Sequence, residues 1–191
     1  MNYIDSGKRY FYGLSGARRN YQKAFPLLLQ GARAGNAHCQ NLVGYCYDHG
    51  LGTEKDRNLA RKWYRRAADQ GFVMAMANLG MLYDRGVGLS RSSRLAAKFY
   101  KLAASRGDAE SQCNLGVLYL EGDGVPHDPT AAIKWLRMSS AQGDSKAQYN
   151  LGMAYLQGIG VRASRSQALL WLKRASRAGH KRARRAVEEL R

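Results

Sequence analysis

Residues 114–125 read NLGVLYLEGDGV and residues 132–143 read AIKWLRMSSAQG, and these two stretches decide the fold because both recur along the chain at one fixed interval. Gly116 has counterparts at 36-residue steps in Gly44, Gly80 and Gly152, and Tyr119 has them in Tyr47, Tyr83 and Tyr155. In the same register run Gly50, Gly86, Gly122 and Gly158, then Gly52, Gly88, Gly124 and Gly160. Ala60, Ala96, Ala132 and Ala168 follow, then the aromatic row Trp63, Phe99, Trp135 and Trp171, and finally Gly71, Gly107, Gly143 and Gly179. A period of this length marks a solenoid, in which one unit cannot bury its apolar face alone and its neighbours complete the core. Running the frame backwards finds Phe11, Gly16, Ala24, Leu27, Ala32 and Gly35, so a degenerate first unit occupies the N-terminus.

Each unit parses into two helices. The first, as in 75–85, carries Leu79, Gly80 and Tyr83 at helical spacing and ends at the glycines of the 86–88 loop, where positive φ is needed. The second, as in 92–105, sets Ala96, Phe99, Ala103 and Ala104 on one face and stops at Gly107. Asp56 and Asp128 stand where an N-cap belongs, and Pro129 occupies the first helical position. A glycine inside a helix costs about 1 kcal/mol relative to alanine, so its repetition at Gly80 and its equivalents calls for close helix–helix approach. The tyrosine and tryptophan rows are expected to fill the space between the helices. The architecture predicted is an all-α, right-handed α-solenoid forming a single domain. Its repeats cover 1–36, 37–72, 73–108, 109–144 and 145–180, and a capping helix over 181–191 gives the open end a polar face.

The 114–125 and 132–143 stretches match almost literally the pattern A-x-x-x-L-G-x-x-Y-x-x-G-x-G-V followed by A-x-x-W-x-x-x-A-A-x-x-G. The chain therefore resembles the Sel-1-like repeat family, a relative of the tetratricopeptide repeats. Lys8 and Leu14 stand where the first repeat should have glycines, and Ser139-Ser140 replace an alanine pair. The resemblance implies an adaptor or scaffold of the kind found in membrane-associated degradation complexes, in bacterial signalling and host interaction, and among bacterial immunity proteins that neutralise a toxin. It implies no catalytic motif.

The residues agree with a non-enzymatic reading. There is no P-loop, dinucleotide fingerprint, nucleophile elbow or H-E-x-x-H. His38 and His49 are eleven residues apart on one predicted helix, too far for a metal pair, and His127 and His180 are isolated. Cys39, Cys46 and Cys113 form an odd set without C-x-x-C spacing, so free thiols are expected and neither metal nor cofactor is called for. No apolar run long enough to span a bilayer and no signal-like start are present, which suggests a cytoplasmic protein.

With 31 Lys and Arg against 14 Asp and Glu, the formal charge is +17, which points to an acidic partner or surface. The 109–144 repeat carries −3, while 1–36 carries +5 and 145–180 carries +6. In a curved stack the first helices line the concave face, and their inward positions include Asn41, Tyr45 and Asp48; Met81, Asp84 and Arg85; Val117 and Leu120; Tyr149, Met153 and Leu156. The row Tyr45, Met81, Val117 and Met153 lies outside the repeat consensus, so the fold alone does not require its apolar character. It forms a candidate groove for a partner protein, an acidic effector or toxin being the most concrete occupant, with Asp48, Asp84 and Arg85 at its rim. Monomer or weak self-association is expected.

The alternative is a polyanion-binding module, for nucleic acid or anionic membrane. It would work from a convex stripe of Arg65, Lys101, Arg137 and Lys173 with Lys62, Lys98 and Lys134, or from Lys181, Arg182, Arg184 and Arg185. The stripe lacks interleaved aromatics to stack bases, which disfavours nucleic acid.

Overall fold

The computed structural model describes residues 3–86 and 90–190. Among them there are eleven helices and no strand. In chain order they are α1 (Tyr3–Tyr12), paired with α2 (Tyr21–Arg33); α3 (Ala37–His49), paired with α4 (Arg57–Asp69); α5 (Val73–Arg85); α6 (Ser93–Ala104); α7 (Ala109–Glu121), paired with α8 (Pro129–Ala141); α9 (Ser145–Gln157), paired with α10 (Arg165–Arg177); and α11 (Lys181–Glu189). The chain divides into an N-terminal unit, residues 1–92, holding α1–α5, and a C-terminal unit, residues 93–191, holding α6–α11. Within each unit every helix packs on the next. Met1, Val87, Gly88 and Arg191, used in the sequence reading of the start, the third-repeat loop and the last helix, lie outside the described residues.

The helices begin and end where local chemistry dictates. The Leu59 N–H donates to Asp56 Oδ1 and the Ala131 N–H to Asp128 Oδ1, both at 2.9 Å, satisfying first-turn donors that would otherwise be orphaned. Gly50, Gly86, Gly122 and Gly158 close the first helices at φ between 62° and 73°. In each pair the backbone N–H that opens the second helix donates to the carbonyl of the repeated tyrosine, as from Asp56 to Tyr47 at 2.9 Å and from Ser164 to Tyr155 at 2.8 Å.

Mid-helix Gly44, Gly116 and Gly152 do mark close helix contacts, but side chains other than the repeated tyrosine and tryptophan meet them. A Cβ on Gly44 would lie 2.7 Å from the Tyr64 ring, one on Gly116 2.9 Å from Leu136 Cγ, and one on Gly152 2.8 Å from Leu172 Cγ. Tyr64, Leu136 and Leu172 each follow the tryptophan of their repeat by one residue, and all three are fully buried. One residue turns a helix by about 100°, so the tryptophans move to the edge of the contact. There Arg66 covers Trp63 at 4.6 Å and Arg174 covers Trp171 at 4.7 Å.

The first repeat is regular but displaced. Its helix glycine is Gly7, whose Cβ would meet Leu28 at 3.0 Å, and Gly13 takes the left-handed position at φ 72°. Tyr10, whose carbonyl accepts the Asn20 N–H at 2.9 Å, plays the part of Tyr47. All three sit one residue earlier than the 36-residue frame assigns, and the loop before α2 absorbs the difference. Lys8 and Leu14 therefore do not replace the glycines; the glycines have moved. Phe11 and Tyr12 consequently occupy the places that Asp48 and His49 hold on α3.

Buried glutamines tie consecutive repeats. Gln40 Nε2 donates to the Ala32 carbonyl at 3.2 Å and Gln112 Nε2 to that of Ala104 at 3.0 Å. Their Oε1 atoms accept from Gln70 at 2.7 Å and Gln142 at 2.9 Å. Gln148 occupies the same place, but Ala178 stands where its donor should be, and Gln148 Oε1 is buried without a partner. The C-cap backbone of Ala178, φ −80° and ψ 11°, closely resembles that of Gln142, φ −85° and ψ 2°. Ala178→Gln is therefore expected to stabilise the protein by about 1 kcal/mol, a rise in Tm of about 3 °C, in a thermal melt, with no gain from Ala178→Leu.

Candidate functional site

Within the N-terminal unit, the face formed by α1, α3 and α5 holds two adjoining recesses that share Tyr45 and Asn78. The first is aromatic. Phe11 packs edge-on against Tyr12 at 4.9 Å, Tyr21 at 5.4 Å and Tyr45 at 6.0 Å between ring centroids. The Tyr12 hydroxyl lies 3.2 Å from His38 Nε2, and His38 stacks on Phe72 at 5.4 Å. Burial, helped by the Lys8 ammonium, holds His38 below the ordinary histidine range, so it is neutral at pH 7. The rim stays in solvent: Tyr12 is 38% exposed, Tyr45 37% and Met74 54%.

The second recess, about 140 Å³, is polar and too small for an organic cofactor but right for a side chain. Tyr45 stacks on His49 at 4.0 Å. Arg57 Nε donates to Asp48 Oδ1 at 3.2 Å, and His49 Nδ1 lies 3.8 Å from the other oxygen of Asp48. Met81 forms part of the wall, and one Arg85 nitrogen reaches its sulfur at 3.9 Å. Among the described residues, the sole carboxylate in the recess is thus already engaged by Arg57, and the exposed Arg85 has no acidic partner.

The expected inward residues separate into three groups. Tyr45, Asp48, Met81 and Arg85 meet in the polar recess. Asn41 is only 2% exposed and its Oδ1 accepts from Asn78 Nδ2 at 2.9 Å, so it floors the groove and is not a free contact. Asp84 does not line the recess, its carboxylate lying 3.6 Å from Arg91. In the C-terminal unit the expected anchors are half-buried and largely committed to packing. Leu120 lies against the cluster of Ile133, Leu136 and Leu151. Tyr149 and Met153 lie against Leu172, Ala183 and Val187, with Tyr149 stacked on His180 at 4.5 Å. Val117 and Leu156 are half-buried. Phe11, Tyr12, Arg57 and Asn78 are groove residues that the inward-position rule did not select. Phe11 and Tyr12 escaped because no inward positions were assigned on the degenerate first repeat, and Arg57 because it begins a second helix.

The basic rows lie on the second helices and are partly engaged within the chain. Arg65 pairs with Asp69 at 2.8 Å, and Arg137 donates to the Tyr155 hydroxyl at 2.9 Å. No group of three or more potential metal ligands occurs among the described residues, and no described helix is long and apolar enough to cross a membrane. All three cysteines are buried free thiols. Burial pushes Cys46 up to about 12, and burial aided by the Asp144 carboxylate does the same to Cys113.

The Sel1 repeat family model matches residues 5–36, 37–72, 73–108, 109–144 and 145–180. Among solved structures, a Sel1 repeat protein from Oxalobacter formigenes is 33% identical over 95% of this chain and 74% of its own, with a TM-score of 0.86. A protective antigen of uropathogenic Escherichia coli is 39% identical over 81% of this chain and 33% of its own, with a TM-score of 0.79. The immunity protein Pa5087 of Pseudomonas aeruginosa, 21% identical with a TM-score of 0.59 over 94% of this chain and 67% of its own, shares the fold. The curated relatives that match are far longer, the similar stretch spanning 11% of their length.

Proposed function

The chain belongs to the Sel1 repeat family, whose repeats mediate protein–protein interaction, and from that premise we propose that it is a non-catalytic adaptor that grips a partner protein in the α1–α3–α5 groove. One observation carries the proposal: Tyr12, Tyr45 and Met74 stand exposed around a single groove, although the repeat does not call for exposed apolar side chains at their positions. Exposed aromatic and methionine side chains around a preformed depression are the usual anchors of an interface. The mechanism is occlusion, the bound surface of the partner being withdrawn from whatever else it would touch. Its most specific form is an immunity protein that covers a toxin, a reading supported by the use of this fold in Pa5087.

Capture from cells that make the protein tests this directly. The wild type is compared with Tyr45→Glu/Met81→Glu and with a second-helix variant, Lys62→Glu/Arg65→Glu. Two anchors are worth about 3–5 kcal/mol, so the groove variant should lose its partner by a factor of about a hundred or more while keeping its helical circular dichroism. The second-helix variant should retain the partner. Retention by the groove variant, or loss confined to the second-helix variant, would refute the proposal.

A further inference from the structure

The two recesses differ in chemistry and lie side by side, which constrains what can occupy them together. We infer that the groove recognises a partner segment carrying one apolar or aromatic anchor and one carboxylate about 10 Å away, the carboxylate pairing with Arg85; this rests on the groove being the partner site.

The spacing comes from the helices that build the groove. Asn41 borders the aromatic recess and Asp48 the polar one, seven residues further along α3. Met74 and Met81 are separated in the same way along α5. Seven residues at about 1.5 Å each set these lining residues of the two recesses roughly 10 Å apart. A helical partner spans that distance between positions i and i+7, and an extended one between i and i+3 at about 3.3 Å per residue.

The sign of the charge comes from the imbalance in the polar recess. Two guanidinium groups, Arg57 and Arg85, share the recess with one carboxylate, Asp48, which is paired with Arg57 at 3.2 Å. The Arg85 guanidinium is exposed at the mouth, held against the Met81 sulfur by a contact too weak to satisfy it. A carboxylate placed there would gain charge-assisted, geometrically directed hydrogen bonds, beside the Tyr45 ring and the Met81 thioether. A cationic side chain would meet Arg85 and Arg57 without compensation. The surrounding unit carries fourteen Lys and Arg against six Asp and Glu, so an anionic segment is also steered towards it.

The test is selection of random twelve-residue peptides displayed on phage against the whole protein, with Tyr45→Glu, Arg85→Gln and Arg85→Glu in parallel, each checked by circular dichroism. The wild type should enrich peptides in which an aromatic or aliphatic residue is paired with Asp or Glu at i+7 or i+3. Synthetic peptides of that kind should lose about tenfold in affinity on Arg85→Gln, and Arg85→Glu should reverse the preference towards Lys or Arg. Peptides that need Tyr45 but ignore Arg85, or that show no acidic residue at the stated spacing, overturn the carboxylate inference while leaving the groove as a binding site. Enrichment of peptides that bind Tyr45→Glu as well as the wild type overturns both.

Discussion

Gly124→Ala is expected to lower Tm by about 10 °C, whereas Gly143→Ala, a change of the same chemistry in the same unit, is expected to lower it by about 4 °C. Both glycines have positive φ, 74° and 89°, so both substitutions incur the conformational penalty of an L-residue there, about 1–2 kcal/mol. They differ in what a methyl group would meet. Around Gly143 there is nothing within 4 Å. At Gly124 the added carbon would overlap the carbonyl group of Ser93, with the Arg94 nitrogen 2.5 Å away. Those are backbone atoms of the first turn of α6, and backbone cannot swing aside as a side-chain tip can. Relief requires moving the α7–α8 loop off the preceding repeat, adding roughly 2–3 kcal/mol. Gly52 presses on the backbone of Tyr21 at the start of α2 in the same manner, and Gly160 on that of Pro129 at the start of α8. This glycine is thus the joint between successive repeats. Differential scanning calorimetry of the two variants decides the point; equal losses at Gly124 and Gly143 would reduce the joint to a φ requirement.

Raising the pH from 9 towards 12 is expected to weaken the fold by about 1.4 kcal/mol per pH unit for each of two thiols, Cys46 and Cys113. Both folded thiols are held protonated up to about 12. In the unfolded chain the same groups ionise from about pH 9. Between those limits the unfolded state has released protons that the folded state retains, so the equilibrium shifts towards unfolding as pH rises. The stabilisation is complete below the unfolded value and is lost as pH climbs through the folded one. Tyr64, buried beneath Gly44 and raised by desolvation, acts in the same direction at higher pH. Lysine deprotonation works oppositely by reducing the net charge, so the thiol contribution is read as a difference. The urea midpoint of the wild type should fall more steeply between pH 8 and 10.5 than that of Cys46→Ala/Cys113→Ala. Parallel curves would remove the thiols as its cause.

The aromatic end of the groove shows where reading from sequence stops. A fixed-step frame places Lys8 at the helix-glycine position and Phe11 at the tyrosine position, and so describes a damaged repeat. Packing selects instead the register in which Gly7 admits Leu28 and the Tyr10 carbonyl accepts Asn20. That one-residue choice rotates Phe11 and Tyr12 by about 100° towards Tyr45 and His38. No local propensity distinguishes the two registers; a close contact between distant residues does. Conversely, the inward-position rule named Tyr45, Met81 and Arg85, which line one recess because neighbouring first helices of the N-terminal unit turn those positions to a shared face. It treated Tyr149 and Met153 as equivalents, yet these meet α11 and its neighbours, since the last repeat has a different structure beside it.

The sequence by itself determined the repeat, the helix pairs, their caps and the glycines at their joints, because each follows from backbone conformation and from a period that every repeat must satisfy to stack. Only the tertiary structure decided which nonrepeated side chains remain open, since exposure depends on what packs alongside. It left Tyr12, Tyr45 and Met74 in solvent, placed Asn41 beneath them, joined Asp48 to Arg57, and kept Arg85 exposed at the mouth of the recess, without an acidic partner among the described residues.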